Sequence, residues 1–496
     1  MDKEAACTTP GPARVAFARR TGLGGAMISG QMTKTVRRRQ RRGAWLRTRE
    51  VAAASAAMLA IGLFAMTHAQ EGEGIEADAF WPQWRGPAST GGVADGNPPS
   101  QWSDEQNIRW KVQLPGGGSS SPIVWGDRLF VVAAVDADDD DGGSGGLFSR
   151  LRRTVFGTTG PPGRLRHVVM ALARRDGRVL WERTAIEEAP HEDRHSTGSW
   201  ASPSGVADGE QFCAFFGSRG VYCYDHDGEL LWDRDLGDME ISLQFGEGAS
   251  LALHGDTLVV PWDHQGQSFI TALDKRTGEE QWRVDRDEGT SWATPLIVEH
   301  DGEAQVVTSA TNRVRSYDLE TGRLVWESEG VTENAIPSPV AADGVVFVTS
   351  GYRGSRLLAV RLADASGDVT DSEAVVWSLD RDTPYVPSPL LHRGVLYLVK
   401  SNSGILSAFD AATGAQLYGP ERLPGIRSLY ASPVAANDRI YVPGREGTTL
   451  VLKAGPEFEV VATNILDDGF DASPAIAGDE LYLRGQRYLY CIAPPA

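Results

Sequence analysis

The stretch Ser316-Tyr-Asp-Leu-Glu-Thr-Gly-Arg-Leu-Val-Trp326 reads as a strand, a tight turn and a second strand. β-forming residues precede the polar turn and resume after it. Gly322 is predicted to take the positive φ that such a turn requires, which glycine adopts at little cost. Variants of the stretch recur at 272–282 and at 408–418. The chain is therefore predicted to be a repeat protein.

A second marker is Ser-Pro ahead of a short apolar strand and a Gly/Asp/Asn turn pair. Its copies are at Ser121, Ser202, Ser338, Ser388, Ser432 and Ser473, with weaker ones at Ser250 and Thr294. The copies lie about 44 residues apart, except where an insertion at about 136–165 lengthens the first unit. Four short strands in such a unit are typical of a propeller blade. We predict an all-β fold, an eight-bladed β-propeller of four-stranded antiparallel blades.

The final unit ends after three strands, so the ring needs a fourth strand from elsewhere. Residues 108–114 form a strand-like run ahead of the first unit, and we expect this N-terminal strand to close the ring and remove an exposed sheet edge. The fourth strands share an aromatic residue that is interpreted as structural, bridging to the next blade and burying about 150–250 Å². These residues are Trp110, Trp181, Trp232, Trp282, Trp326, Trp377 and Tyr418.

Residues 1–69 differ in charge and pattern from the rest of the chain. A cluster of arginines precedes an apolar run at 51–66 and a small-residue site, which predicts a secretory signal peptide. The alternative is an uncleaved anchor that holds the protein in the inner membrane through 51–66. Residues 1–31 fit no part of a signal and are interpreted as lying upstream of the true translation start. The predicted location is the periplasm or cell envelope, or outside the cell.

The remaining chain is acidic. Residues 1–69 carry 12 Lys/Arg and 3 Asp/Glu, a net charge of +9, so the rest of the chain carries −27 against −18 for the whole. An acidic body repels phosphate backbones, which argues against nucleic-acid binding. Residues 70–107 are predicted to be a linker and wrapping segment, with Trp81-Pro-Gln-Trp-Arg-Gly-Pro87 packed against the body. Stacking of this aromatic segment on a cofactor is the alternative. The propeller itself is assigned to 108–496.

Two further patterns leave alternatives open. Cys213 and Cys223 flank a hairpin-like turn, so they form either a cross-strand disulfide or, as favoured here, two buried thiols on neighbouring strands. His191-Glu-Asp-Arg-His195 matches the HExxH zinc pattern, which requires both histidines on one helix. Pro190 before the match argues against a helix. A zinc hydrolase is therefore a remote alternative, and no catalytic residue is assigned.

The Thr-Gly-x-x-x-Trp column and the Ser-Pro starts resemble the pyrroloquinoline-quinone-type (PQQ-like) β-propeller repeat. They are most similar to its non-enzymatic bacterial branch, which includes the outer-membrane assembly lipoprotein BamB. The resemblance covers 81–496 and implies a monomeric envelope or secreted scaffold that binds a protein or ligand. It implies no cofactor, and it does not identify the partner. The lipoprotein cysteine of BamB is absent after the apolar run.

The resemblance also carries an enzymatic alternative, a PQQ-dependent quinoprotein dehydrogenase that uses calcium. Such enzymes typically carry two adjacent, bonded cysteines above the quinone, together with carboxylate and amide ligands for calcium. This sequence has no Cys-Cys pair. Cofactor-binding residues are therefore not assigned, and fold alone does not decide the function.

Overall fold

The computed structural model describes residues 80–137 and 163–494. These residues form eight antiparallel sheets arranged in a ring, and the prediction of an eight-bladed β-propeller is confirmed. The first strands of successive blades contact one another around the centre, so they line the channel and the fourth strands lie outermost. The predicted signal segment and most of the insertion at about 136–165 lie outside the described residues.

The strands of each blade follow in chain order, from the channel outward. Blade 1 contains Ile123–Trp125, Arg128–Asp136, Leu165–Ala173 and Val179–Glu188. Blade 2 contains Val206–Ala207, Gln211–Phe215, Val221–Asp225 and Leu230–Arg234. Blade 3 contains Ala252–His254, Thr257–Trp262, Ser268–Asp274 and Glu280–Arg286. Blade 4 contains Leu296–His300, Glu303–Thr308, Arg313–Asp318 and Leu324–Glu329.

The second half of the ring repeats this arrangement. Blade 5 contains Val340–Ala342, Val345–Ser350, Arg356–Arg361 and Val375–Leu379. Blade 6 contains Leu390–His392, Val395–Val399, Ile405–Asp410 and Gln416–Arg422. Blade 7 contains Val434–Ala436, Arg439–Pro443, Thr448–Lys453 and Val460–Ile465. Blade 8 contains Ala475–Ala477, Glu480–Arg484, Tyr488–Ile492 and, as its outer strand, Ile108–Gln113.

Two short strands add to this frame. Gly92–Val93 pairs in parallel with the first strand of blade 7, and Gly367–Asp368 pairs in parallel with the outer strand of blade 4. Single turns of 3₁₀ helix occur at Gly217–Arg219, Ser242–Gln244 and Leu362–Asp364. None of the helical turns in the two described ranges has the length and apolar character needed to cross a membrane.

The ring closes as the sequence predicts. Ile108–Gln113 pairs antiparallel with Tyr488–Ile492, so both ends of the propeller chain share one sheet. Glu480 of that sheet is salt-bridged both to Arg109 of the closing strand and to Arg174 of blade 1. Pairing the last blade with the N-terminal strand leaves no open seam in the ring.

Most aromatic residues of the outer strands contact the neighbouring blade. Trp282 donates its indole N–H to Leu319 O at 2.8 Å, and its ring lies against Gly322 in the turn of blade 4. The same pairing joins Trp110 to Gly177, Trp181 to Gly228, Trp232 to Gly278 and Trp377 to Gly414. A side chain at these glycines would overlap the ring, and each glycine has positive φ.

Two of these outer-strand aromatic residues contact their neighbours differently. Trp326 is fully buried between blades 4 and 5, but its indole N–H reaches Gln305 Oε1 of its own blade at 3.2 Å. In blade 5, Gly367 does not pack against the Trp326 ring, because no atom lies within 4 Å of the place where its side chain would begin. Tyr418 packs near Phe458 of blade 7, with ring centroids 5.8 Å apart.

A belt of hydrogen bonds joins the first strands around the channel. In seven successive steps, a backbone N–H donates to the hydroxyl oxygen of the next blade, over 2.8 to 3.1 Å. The members are Ser121, Ser204, Ser250, Thr294, Ser338, Ser388, Ser432 and Ser473. The hydroxyl of the first member donates to the carbonyl of the last at 2.8 Å and completes the belt.

The belt corrects one detail of the repeat. Ser204, and not the predicted Ser202, is the blade 2 member, because the first strand begins two residues later at Val206. The Ser202 hydroxyl instead bonds to Ser199 within the preceding connection. In this blade, the Ser-Pro pair lies two residues ahead of the serine that belongs to the belt.

The segment Trp81–Pro87 lies inside the channel. Its backbone and side chains bond to the first strands or belt residues of six blades: Val124, Ala207, Leu253, Ser338, Pro389 and Pro433. Val124, Ala207 and Leu253 lie near the turns that end the first strands, so the segment enters from that side. We call this side the turn face and the opposite side, formed by the connections between blades, the loop face.

The residues that follow contact the body of the propeller. Pro98 O accepts from the Tyr441 hydroxyl at 2.8 Å, and the Trp102 N–H donates to Asn464 Oδ1 at 2.9 Å. The chain thus passes over blades 7 and 8 before it forms the closing strand. The predicted wrapping segment combines a channel plug with an outer strap.

Candidate functional site

A small cleft opens on the loop face beside blades 1 and 2. Three connections form it: the one from blade 1 to blade 2, the loop around Ser218, and the one from blade 2 to blade 3. His191, Glu192, Arg219 and Glu247 provide its polar lining, beside the rings of Trp200 and Phe216. Clefts that combine apolar walls with a few polar groups are the usual form of a binding site.

The HExxH match lies in this region without forming a zinc site. His191 Nδ1 accepts from Arg219 at 3.0 Å, so Nε2 carries the proton and donates to Met239 O at 2.8 Å. His195 bonds to Thr197 and packs on Phe245 instead. The segment contains no helix. Because the two histidines do not converge, the zinc-hydrolase alternative loses its geometric basis.

A different trio does converge. Ligand atoms of His191, Glu192 and Glu247 lie within 4.8 Å of one another. Glu247 accepts from the Ser218 N–H at 2.9 Å and from its hydroxyl, and Glu192 accepts from the Ile241 N–H at 3.2 Å. Burial raises the pKa of both carboxyl groups. The trio is engaged within the protein, and we assign no metal to it.

These groups hold one loop in place. Four consecutive amides, from Met239 to Ser242, donate to side chains of four different connections. The acceptors are Ser218 Oγ at 2.7 Å, His264 Nδ1 at 3.0 Å, Glu192 Oε1 at 3.2 Å and Thr290 Oγ1 at 2.9 Å. A loop fixed from four sides loses little further freedom when it binds a partner.

The fixed loop presents an apolar residue to solvent. Leu243 is 77% exposed, and it has left-handed backbone angles of φ 54° and ψ 19°. Gln244 also has a positive φ of 54°. Each such non-glycine residue costs about 1–2 kcal/mol, and strained backbone of this kind is concentrated at functional sites. Sequence reasoning missed Leu243, because one leucine in an irregular connection has no periodic signal.

The rim of the cleft is acidic. Arg219 pairs with Glu188 and with Asp238, the latter at 2.9 Å, and both carboxylates remain half exposed or more. Glu240 is exposed beside Leu243. The rim thus carries more carboxylates than cations, and it favours a positively charged surface on whatever binds there.

The cysteines lie away from this cleft. Cys213 and Cys223 oppose each other on neighbouring strands of blade 2 and form a disulfide, so the favoured interpretation as two buried thiols is wrong. Their side chains belong to the apolar contact between blades 2 and 3, and Cys491 is a buried free thiol. The described residues do not present the adjacent bonded cysteines that the resemblance associates with a quinone, so we derive no chemistry from that cofactor.

The fold, the repeat and the turn chemistry together define a PQQ-like eight-bladed propeller. Residues 165–268 and 266–494 match the model of the family described as outer membrane protein assembly factor BamB. The chain belongs to this family.

Two BamB proteins similar to this chain are distant in sequence. The outer membrane protein assembly factor BamB of Shewanella oneidensis is 25% identical over 296 residues, which are 58% of this chain and 66% of that protein. The chain thus spans just under two thirds of that relative. The BamB structure of Moraxella catarrhalis is 13% identical with a TM-score of 0.51, over 77% of this chain and 98% of that one.

Quinohemoprotein alcohol dehydrogenase from Comamonas testosteroni is also similar in structure. It is 12% identical with a TM-score of 0.60, over 88% of this chain and 84% of that one. At these identities, both structural likenesses show the fold alone. They do not distinguish a scaffold from a dehydrogenase.

Proposed function

We propose that this protein is a non-catalytic propeller of the cell envelope, or a secreted one, that binds a protein partner through its loop face. Membership of the BamB family supports an envelope role. The observation that carries the proposal is Leu243, an exposed leucine on a loop fixed by four neighbouring connections. A loop that is already ordered lowers the entropic cost of association, and a leucine that enters a partner's pocket supplies buried apolar area.

The chemistry of the site defines the partner further. An apolar pocket on the partner would receive Leu243, and basic residues around that pocket would face Glu240 and Asp238. Burying a leucine side chain contributes about 1.5–3 kcal/mol, enough to change affinity by at least tenfold. Rim charges act mainly on the association rate, which should fall as the salt concentration rises.

The test compares two exposed leucines, one on the connection after blade 2 and one on the outer strand of blade 2. A photo-crosslinking residue is placed at Leu243 or, as the matched control, at Leu230, which is 49% exposed on the outer strand of blade 2. We expect one discrete crosslinked envelope protein from position 243 and none from position 230. Leu243→Asp should abolish co-purification of that protein, and Leu230→Asp should leave it intact. Identical products from both positions would contradict the assignment.

The quinoprotein alternative is tested in the same preparation. Purified protein is mixed with pyrroloquinoline quinone and calcium, and bound-quinone absorbance and dye-linked alcohol oxidation are measured. We expect neither signal. Stoichiometric quinone binding with alcohol oxidation would replace the scaffold proposal by the enzymatic one.

A further inference from the structure

The outer strands of the blades differ in how their free edges are protected. Exposed edge strands readily pair with other chains, and proteins usually block them with charges, prolines or a covering segment. The positions compared are the first and third residues after the inter-blade aromatic residue of each outer strand, whose place in blade 7 is taken by Ala462. In blade order from blade 8 round to blade 7 they are Lys111 and Gln113, Glu182 and Thr184, Asp233 and Asp235, Arg283 and Asp285, Glu327 and Glu329, Ser378 and Asp380, Gly419 and Glu421, and Thr463 and Ile465.

Blade 7 alone has no charge at either position. Its outer strand, Val460–Ile465, reads Val-Val-Ala-Thr-Asn-Ile and contains no charged residue at all. Val461 is 41% exposed and Ile465 is 66% exposed, with exposed Thr463 between them. Alternate β-branched residues therefore form a continuous exposed stripe beside an edge to which no described strand is added.

This edge is also rigid. Asn464, on the opposite side of the strand, accepts from the Trp102 N–H at 2.9 Å and donates to Ser100 O at 3.0 Å. The strap therefore covers one side of the strand, and the stripe of Val461, Thr463 and Ile465 is on the other side. A partner strand would meet a preformed template.

The molecule itself shows that a blade edge accepts an added strand. Gly367–Asp368 pairs in parallel with Trp326 and Glu327 on the outer strand of blade 4. The Val369 N–H then donates to Glu327 O at 2.8 Å, and Val369 is buried. Two or three residues of extended chain suffice to protect that edge.

We propose that the outer strand of blade 7 binds an extended segment of another protein as a fifth strand. The segment carries β-branched or other apolar residues at alternate positions, with lysine or arginine at its ends. Addition of an extended peptide to a sheet edge is a recurring mode of recognition, in which backbone hydrogen bonds supply affinity and side-chain stripes supply selectivity. This site is separate from the loop-face cleft and does not depend on the function proposed for it.

The charges at the ends of the strand determine which kind of segment can pair with it. Glu457 and Glu459 precede it, and Asp467 and Asp468 follow it. Lys453 pairs with Glu459, and Arg487 pairs with Asp467 and with the buried carboxylate of Asp468. The exposed acidic groups at the ends of the strand are therefore Glu457, Glu459 and Asp467. An antiparallel dimer centred on Thr463 would bring Glu459 of each copy opposite Asp467 of the other, which disfavours self-pairing. A segment with basic ends avoids this repulsion.

The experiment uses two fluorescent peptides on the full chain. The first is Lys-Arg-Val-Thr-Val-Thr-Val-Arg-Lys, and the second has proline at its central valine, which removes a backbone donor and the extended pairing. We expect the first to bind in fluorescence anisotropy and the second to bind at least about tenfold more weakly. Hydrogen exchange should slow at the amides of 460–466 when the first peptide is bound.

The matched variants place the guarding residues of blade 8 on blade 7. Thr463→Lys and Ile465→Gln reproduce Lys111 and Gln113, and we expect about tenfold weaker binding with an unchanged melting temperature. Leu231→Lys on blade 2, where Leu231 is 48% exposed, should leave binding unchanged. Equal binding of both peptides, binding without protection of 460–466, or a concentration-dependent dimer that the Thr463→Lys variant abolishes would each overturn the proposal.

Discussion

Gly322→Ala tests the contact that joins neighbouring blades. Gly322 has φ +72°, and a side chain built there would lie 2.8 Å from Cδ2 and Cε3 of Trp282. The ring is also held by its 2.8 Å hydrogen bond to Leu319 O. Alanine therefore strains the turn and displaces a buried tryptophan that bridges blades 3 and 4.

The expected cost has three parts. Left-handed backbone at alanine costs about 1–2 kcal/mol. Overpacking against the displaced ring costs about 1–3 kcal/mol, and weakening of the indole hydrogen bond costs about 1 kcal/mol. We expect the free energy of unfolding to fall by about 3–6 kcal/mol.

Gly302→Ala supplies the matched control. Gly302 lies in a turn of the same blade with φ +83°, and no atom lies within 4 Å of its missing side chain. This variant should cost only the backbone strain, about 1–2 kcal/mol. Urea unfolding, followed by tryptophan fluorescence and by circular dichroism, measures both variants.

The difference between the two glycines is the decisive quantity. In a Trp282→Ala background, the cost of Gly322→Ala should fall to that of Gly302→Ala, because the ring is no longer present to be displaced. Equal costs for the two glycine variants in the wild-type background would refute the inter-blade contact as the reason for glycine at this position.

Four further predictions concern other parts of the ring. Arg85→Met should lower the free energy of unfolding by about 2–4 kcal/mol in urea, since it leaves two buried carbonyls of blades 6 and 7 without a donor. Burial raises the pKa of Glu247, so wild-type stability should rise as the pH falls from neutral through that raised pKa; Glu247→Gln should flatten this rise in melts across pH. Replacing both Cys213 and Cys223 by alanine should cost about 2–3 kcal/mol, and the variant's unfolding curve should become insensitive to dithiothreitol. Deleting 105–115 should abolish cooperative melting and give aggregates in size-exclusion chromatography, because the last blade loses its outer strand.

Local chemistry predicted a large part of the fold. A turn glycine followed four residues later by a tryptophan recurs every 44 to 51 residues, and both residues act within one repeat or between adjacent repeats. The closing strand was also predictable from the sequence, because the last repeat has only three strands and needs a fourth to complete its blade. The candidate site was much less predictable. Leu243 and its supporting amides depend on four connections that approach one another only in the folded ring.

The sequence by itself determined that the chain is a closed ring of eight blades, because strand periodicity, turn residues and inter-blade aromatics act over short distances. Only the tertiary structure decided where Trp81–Pro87 lies, that Ser204 replaces Ser202 in the belt, and that His191 and His195 do not converge. Arg85 shows the physical reason. Its carbonyl acceptors, Pro389 and Pro433, lie more than three hundred residues along the chain, and no periodic pattern records such contacts.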